Sequence, residues 1–263
     1  MTTGAADTAV QEIITAGLNN IDPADVVRLI LAGQTLPAAW IPLITELRLE
    51  RARITDLRVL AALTSLRRLV LSHTLVSDVA PLAALTELRR LELTRSRVGD
   101  VAALASLLEL QSIHLSFTPV RNLRPLQGLE KLEGCFLTGT LVEDATPLAG
   151  LRRLERLDLG DTAISDAGPL AGLTALRSLD LSGTRISDLT PLAALTRLKY
   201  LDLTGTPVND LSPLAALLDL RRLDLRSTRA DPSALAHLTR CQIVTTALLP
   251  RRRRAPTTPP VPP

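Results

Sequence analysis

The sequence predicts an α/β solenoid, with a curved parallel sheet on its concave side, short helical or 3-10 turns on its convex side, and a helical N-terminal cap. Three observations predict this fold. Leucine supplies 57 of the 263 residues, whereas the chain holds only two Phe, one Tyr and one Trp. Apolar residues make up 46% of the chain and charged residues 22%, which is typical of a folded protein. The leucines recur every 22 residues, which indicates one small unit repeated many times.

The repeated unit begins nine times in register, and its clearest copy is residues 176–197. The spacing of Leu179 and Leu181 predicts a short strand with both side chains on one face. A small polar turn follows, and Thr190 with Pro191 then predicts the N-cap and first residue of a helical or 3-10 turn. The nine copies begin at Ile44, Leu66, Leu88, Leu110, Leu132, Leu154, Leu176, Leu198 and Leu220.

Stacking of the units follows from their composition. One unit cannot bury its leucines alone, whereas stacked units form continuous leucine columns and a parallel sheet with strands about 4.8 Å apart. The thirteenth position is acidic or Asn in eight copies, and it is expected to cap the convex turn. The ninth position is expected to form a buried polar column that serves backbone groups, and it is occupied by Thr74, Ser96, Thr118, Thr140, Thr162, Thr184, Thr206 and Thr228.

These motifs, over residues 44 to about 246, resemble the leucine-rich repeat family, specifically its short 22-residue subclass. That subclass occurs in internalins and in the leucine-rich regulatory subunit of type-1 protein phosphatase. The resemblance implies a leucine-rich repeat solenoid that binds another protein. The family usually carries Asn at the ninth position, so the threonines here imply a thinner hydrogen-bond ladder.

The chain divides by sequence into three parts. Residues 1–43 are predicted to form the helical N-terminal cap, residues 44–249 the solenoid, and residues 250–263 a disordered Arg/Pro-rich tail. Asp22 and Pro23 predict the start of a helix that ends near Gly33.

The ends of the array are expected to differ from its middle, because a bare leucine layer would otherwise meet solvent. A weaker helix is predicted at about residues 7–17, and Trp40 is expected to cover the first leucine layer. The repeat pattern is lost at positions 230–232, and residues 242–246 predict a final half strand.

The sequence predicts a non-catalytic protein without a metal or cofactor. His73, His114 and His237 fall in different units, and the nearest pair is about 10 Å apart, too far to share a metal ion. Cys135 takes the place of an inward leucine. Cys241 lies about 24 Å from it, beyond the reach of a disulfide.

The concave face is the predicted binding surface, formed by the second, third, fifth, seventh and eighth positions. Phe117, Phe136 and Tyr200 fall at such positions, and aromatic residues often anchor protein interfaces. His114 lies beside the two phenylalanines in neighbouring units. The sequence therefore predicts a protein or peptide partner at this centre. The alternative, that the phenylalanines pack locally over the sheet edge, stays open.

Aspartate occupies the fifth position of four consecutive units, at Asp158, Asp180, Asp202 and Asp224. One interpretation is an acidic row that binds a basic segment of the partner. The other is that aspartate at this position belongs to the consensus of the repeat.

Two further functions remain open from the sequence. The formal charge is +3, and the four arginines at positions 251–254 account for it, so the rest of the chain is near neutral. These arginines indicate nucleic-acid or anionic-surface binding as an alternative, with nucleic acid the less favoured partner. The array is also suited to be the recognition subunit of a separate effector. No stretch predicts a membrane span or signal peptide, so a cytoplasmic location is expected.

Overall fold

The computed structural model describes residues 22–245, and its main feature is one open, curved sheet of ten parallel strands. The strands follow chain order, so each pairs only with its neighbours along the sequence. This arrangement confirms the predicted α/β solenoid. The strands are β1 Glu46–Arg48, β2 Arg68–Val70, β3 Arg90–Glu92, β4 Ser112–His114, β5 Gly134–Phe136, β6 Arg156–Asp158, β7 Ser178–Asp180, β8 Tyr200–Asp202, β9 Arg222–Asp224 and β10 Gln242–Val244.

The strand register follows the 22-residue repeat from β1 to β9, as in the pairing of Leu179 with Leu201. Between β9 and β10 the offset falls to 20 residues, because Leu223 pairs with Ile243. The last unit is therefore two residues shorter, in the region where the sequence pattern is lost. The predicted half strand is confirmed as β10.

Short 3-10 turns connect the strands on the opposite side, and their leucines point into the core. Leu192 and Leu195, for example, are fully buried. The turns are Ile41–Leu43, Arg58–Ala62, Ala80–Ala84, Ala102–Ser106, Arg124–Leu126, Thr146–Leu148, Gly168–Leu170, Thr190–Ala194, Ser212–Leu214 and Pro232–Leu235.

The capping of these turns corrects one expectation. Thr190 does not cap its turn; it is the first residue inside it, and its N–H donates to Asp188 Oδ1 over 2.8 Å. The thirteenth position thus supplies the acceptor, as expected for that position. Arg58, Ala80, Ala102, Thr146, Gly168 and Ser212 donate in the same way to the residue two before them: Asp56, Asp78, Asp100, Asp144, Asp166 and Asp210.

The threonine column satisfies backbone groups within single turns rather than linking neighbouring layers. Thr184 Oγ1 donates to the carbonyl of Leu181, three residues earlier, over 2.6 Å. Thr74, Thr118, Thr140, Thr162, Thr206 and Thr228 make the same contact. Ser96 is the exception, because its buried Oγ has no hydrogen-bond partner among the described residues.

The N-terminal end of the sheet is covered by helix α1, Pro23–Leu31. Asp22 caps it by accepting from the N–H of Ala24, and the helix buries an apolar face that includes Val26 and Ile30. Trp40 is half-buried against the leucine core, as expected. Neither α1 nor any turn within residues 22–245 has the length and hydropathy of a membrane-crossing helix. The predicted helix at residues 7–17 and the tail at 250–263 lie outside the described residues.

The Thr184→Val substitution is expected to lower the free energy of unfolding by about 1 kcal/mol, because it removes one buried hydrogen bond at nearly constant volume. The measurement is equilibrium urea unfolding followed by circular dichroism.

Ser96→Ala is the control for this prediction. Its hydroxyl is buried and has no hydrogen-bond partner in residues 22–245, so its removal is expected to leave the unfolding midpoint unchanged or slightly raised. Equal losses for the two variants would contradict the assigned role of the threonine hydroxyl.

Candidate functional site

The centre of the concave face carries a pair of stacked rings. His114 on β4 pairs directly with Phe136 on β5, so the two side chains leave the sheet on the same side. Their ring centroids are 4.2 Å apart, and the ring planes are inclined by 13°. Both residues are half-buried, so the rings rest on the sheet surface and are not sunk among the leucine layers.

Gly134 leaves close clearance beneath this pair. A Cβ atom on Gly134 would lie 3.1 Å from Cε2 of Phe136 and 3.3 Å from Oγ of Ser112. The phenylalanine ring therefore leans over the backbone of its own strand. A hollow of about 270 Å³ lies beside this pair, lined by Arg90, Glu92, Gln111, Ser112, His114, Glu133, Phe136 and Arg156.

Phe117 belongs to a separate contact beyond the end of β4. Its side chain is 48% exposed, and the guanidinium carbon of Arg95 lies 4.8 Å from its ring centroid. Such a distance is typical of a cation–π interaction. The ring covers Gly139, where a Cβ atom would come within 2.6 Å of it.

The backbone at Phe117 is left-handed, with φ of +58°. The same conformation occurs at the eighth position of every unit, although only three of the nine residues are glycine. In the sequence, the only signal of this requirement is the glycine at three of those positions. In the other eight units this conformation is adopted by Arg51, His73, Arg95, Gly139, Asp161, Gly183, Gly205 and Ser227.

Tyr200 projects from β8 and is 52% exposed. It lies three strands from Phe136, which corresponds to about 14 Å at the usual strand spacing. Tyr200 is thus outside the hollow, on the part of the concave face that carries the aspartates.

The aspartate row has a role in the fold. Oδ1 of Asp158, Asp180 and Asp202 each accepts the N–H of the residue two positions later, over 2.8–3.0 Å. These contacts close the turn after each strand, which favours the interpretation that aspartate is a repeat consensus. Burial raises the pKa of Asp180, and its charged neighbours Asp158 and Asp202 add to this, against the hydrogen bonds from Ser182.

Asp224 differs from the other three aspartates. It is only 2% exposed, and its carboxylate accepts hydrogen bonds of 2.8 Å from the Arg226 guanidinium. Nη2 of Arg222, on the same strand, lies 3.6 Å from Oδ2 of Asp224. The hydrogen bond from Arg226 lowers the pKa of Asp224. The Asp224 carboxylate is therefore paired within the protein and almost inaccessible to solvent.

The electrostatics of the hollow keep His114 neutral. Burial lowers the pKa of its imidazole, and the positive charges of Arg156, Arg68 and Arg90 lower it further. Only Glu92 acts in the opposite direction, and its carboxylate is paired with Arg68 over 2.9 Å.

The reactive side chains of the described region include a serine–histidine contact and a buried cysteine. Ser112 Oγ lies 3.2 Å from Nε2 of His114, but no described carboxylate contacts the other ring nitrogen, as a hydrolytic triad would require. Burial raises the pKa of Cys135 to about 12, so its thiol stays protonated. Within residues 22–245 no group of three His, Cys, Asp or Glu side chains is placed to hold a metal ion.

The comparisons with known proteins agree with this architecture. A family model described as "Leucine Rich repeats (2 copies)" matches residues 152–194. Internalin C2 from Listeria monocytogenes is 30% identical, with a TM-score of 0.70 over 74% of this chain and 88% of that chain. The chain belongs to the leucine-rich repeat family. Arrays of this family generally mediate protein–protein interaction.

Two further structures resemble this leucine-rich repeat protein. A second internalin from Listeria monocytogenes gives a TM-score of 0.78 at 26% identity, over 88% of this chain and 71% of that chain. The ectodomain of a plant membrane receptor kinase from Arabidopsis thaliana, solved with Casparian strip integrity factor 2, shares the fold: TM-score 0.69, 19% identity, 80% of this chain and 28% of that chain. No curated protein matches the sequence at a significant level.

The imidazole of His114 is expected to titrate below its usual pKa of 6.5 in an NMR titration of its ring protons. The unfolded chain takes up this proton near pH 6.5, whereas the folded chain takes it up only at lower pH. The contribution of His114 to stability is therefore complete above pH 6.5 and falls as the pH drops below it.

Two variants test the cause of this shift. Arg156→Gln removes a positive charge and is expected to raise the pKa of His114, whereas Glu92→Gln is expected to lower it. A pKa that Arg156→Gln leaves unchanged or lowers would show that this arginine does not act on the ring.

Gly139→Ala is expected to displace the Phe117 ring, while Gly205→Ala leaves it in place. Both glycines have a left-handed backbone, so each variant carries a strain of about 1–2 kcal/mol. A Cβ atom at Gly205 meets nothing closer than 3.8 Å, so only Gly139→Ala moves the ring. The measurement is the NMR shift of the Phe117 ring protons, and equal shifts in both variants would contradict the assigned contact.

Proposed function

We propose that the protein is a non-catalytic interaction scaffold that binds a protein or peptide partner on its concave face. The observation that carries this proposal is the placement of the aromatic residues. Leucine fills the core, whereas Phe117, Phe136 and Tyr200 all lie on or beside the solvent-facing side of the sheet. Aromatic side chains in such places supply much of the binding energy of protein interfaces.

The geometry supports a rigid binding centre. The His114–Phe136 stack and the Arg95–Phe117 contact hold their rings in place before any partner arrives. Each phenylalanine ring also lies over a glycine that leaves it room. Side chains that are already ordered lose less conformational entropy on binding, which favours affinity.

The proposed surface continues from this centre toward β8. Asp158, Asp180 and Asp202 are half-buried in a row, each with one carboxylate oxygen engaged by the backbone, and Tyr200 is exposed next to the row. We include these four residues as a secondary, acidic part of the surface. Asp224 is left out, because its carboxylate is covered by Arg226 and Arg222.

The test is co-precipitation with the full chain as bait, from an extract of the organism that encodes it. Phe117→Ala/Phe136→Ala is expected to lose the partner, since one anchor worth 2 kcal/mol corresponds to a roughly 30-fold loss of affinity. Bound proteins are identified and quantified by mass spectrometry.

The matched control is Leu108→Ala/Leu218→Ala, which removes two exposed apolar side chains from outside the concave face. The control is expected to recover the same partner as the unchanged chain. Equal recovery by the unchanged chain and both variants would exclude the aromatic centre as the binding site.

The nucleic-acid alternative depends on the arginines at positions 251–254, which lie outside the described residues. A chain without residues 250–263 separates the two functions. The scaffold proposal expects that chain to keep its protein partner. Retention of nucleic acid that weakens steeply with salt, and is lost with those residues, would favour the alternative.

A further inference from the structure

The hollow at the concave centre results from a local change in the third position of the repeat. Along this position the pairing runs from Arg90 to Ser112, then Gly134, then Arg156. Two arginines thus flank two residues with almost no side chain. The arginines are separated by three strand spacings, about 14 Å. The Phe136 ring covers Gly134, so the open space between the arginines is the hollow beside Ser112.

The charges around the hollow are unequal. Glu92 is neutralised by Arg68, and burial keeps His114 neutral at pH 7. Arg90 and Arg156 are exposed, and neither forms an ion pair within residues 22–245. Among the lining residues, Glu133 is the one carboxylate without an ion pair in the same region, so Arg90 and Arg156 exceed the unpaired lining carboxylates by one charge, and Asp158 borders the hollow beyond Phe136.

The stacked rings of His114 and Phe136 line the hollow, and the Ser112 hydroxyl lies 3.2 Å from Nε2 of the imidazole. An aromatic group that enters the hollow finds ring edges and faces to pack on. A carboxylate attached to such a group lies within reach of the flanking guanidinium groups, which bind carboxylates well.

We propose that this hollow binds an acidic segment of the partner in which a carboxylate adjoins an aromatic side chain. The aromatic ring packs on Phe136, and the carboxylate is held by Arg90 or Arg156. This inference rests on the proposed function, because it names the chemistry of the partner at the same concave centre. The inference also implies that two parts of the concave face bind groups of opposite charge. The hollow binds a carboxylate, whereas the aspartate row, which begins on β6 next to Arg156, binds basic groups.

The experiment uses three small probes of nearly equal shape: phenylacetate, phenylacetamide and 2-phenylethylamine. Each is titrated into the full chain, and binding is followed by NMR at the backbone amides of Ser112, Gly134 and His114. Phenylacetate is expected to bind about three- to tenfold more tightly than phenylacetamide, and the amine most weakly. Equal binding of the first two probes, tighter binding of the amine, or no shift at these amides with phenylacetate overturns the proposal.

Variants assign the charge preference to particular residues. Arg90→Gln/Arg156→Gln is expected to reduce the affinity for phenylacetate to that for phenylacetamide. Arg197→Gln, a matched change at an exposed arginine outside the strands, is expected to leave the preference intact. A preference for phenylacetate that survives loss of both hollow arginines overturns the assignment.

The failure of this inference is distinguishable from that of the proposed function. In the co-precipitation, Arg90→Gln/Arg156→Gln is expected to reduce recovery of the partner. If recovery depends on Phe117 and Phe136 but not on the arginines, concave binding stands and the acidic partner is excluded. If the hollow prefers phenylacetate while the phenylalanine variant still recovers every partner, the chemistry of the hollow stands and the scaffold proposal fails.

Discussion

The structure depends on the burial of leucine between identical layers. A single 22-residue unit exposes its leucines above and below, so it gains burial only when another unit lies in register on each side. A shift of one residue would turn every leucine of a strand toward solvent, which is why the register stays at 22 from β1 to β9. The array shortens only at its last unit, where the pattern of the sequence also fails.

Polar side chains stabilise the turns, whose backbone groups leucine cannot pair. Each turn leaves backbone groups without solvent contact, and two side chains in most units form hydrogen bonds with them. A threonine hydroxyl donates to a carbonyl inside the turn, and an aspartate before the 3-10 segment accepts an N–H. The fifth-position aspartates likewise accept backbone N–H groups at the ends of their strands. The same residues therefore contribute to the fold and to the charge of the concave face. This shared role explains why a row of like charges is retained.

The binding centre arises where the repeat is least regular. Ser112 and Gly134 stand at a position that carries arginine on β2, β3, β6 and β9, and their small side chains leave room for the stacked rings of His114 and Phe136. The left-handed backbone at Phe117 directs its ring over Gly139 and beneath Arg95. A uniform solenoid would present a uniform face, so specificity here comes from two adjacent units that depart from the consensus.

The sequence by itself determined the solenoid, the strand positions, the 3-10 turns, the N-terminal helix and the final half strand, because each follows from local periodicity, capping or turn chemistry. It also placed Phe117, Phe136, His114 and Tyr200 outside the leucine core. Only the tertiary structure decided which contacts these and neighbouring side chains make. His114 stacks on Phe136, Arg95 lies over the ring of Phe117, and Arg226 pairs with the carboxylate of Asp224. Such contacts depend on side-chain rotamers and on the clearance above particular glycines, quantities that a linear pattern of residue types does not contain.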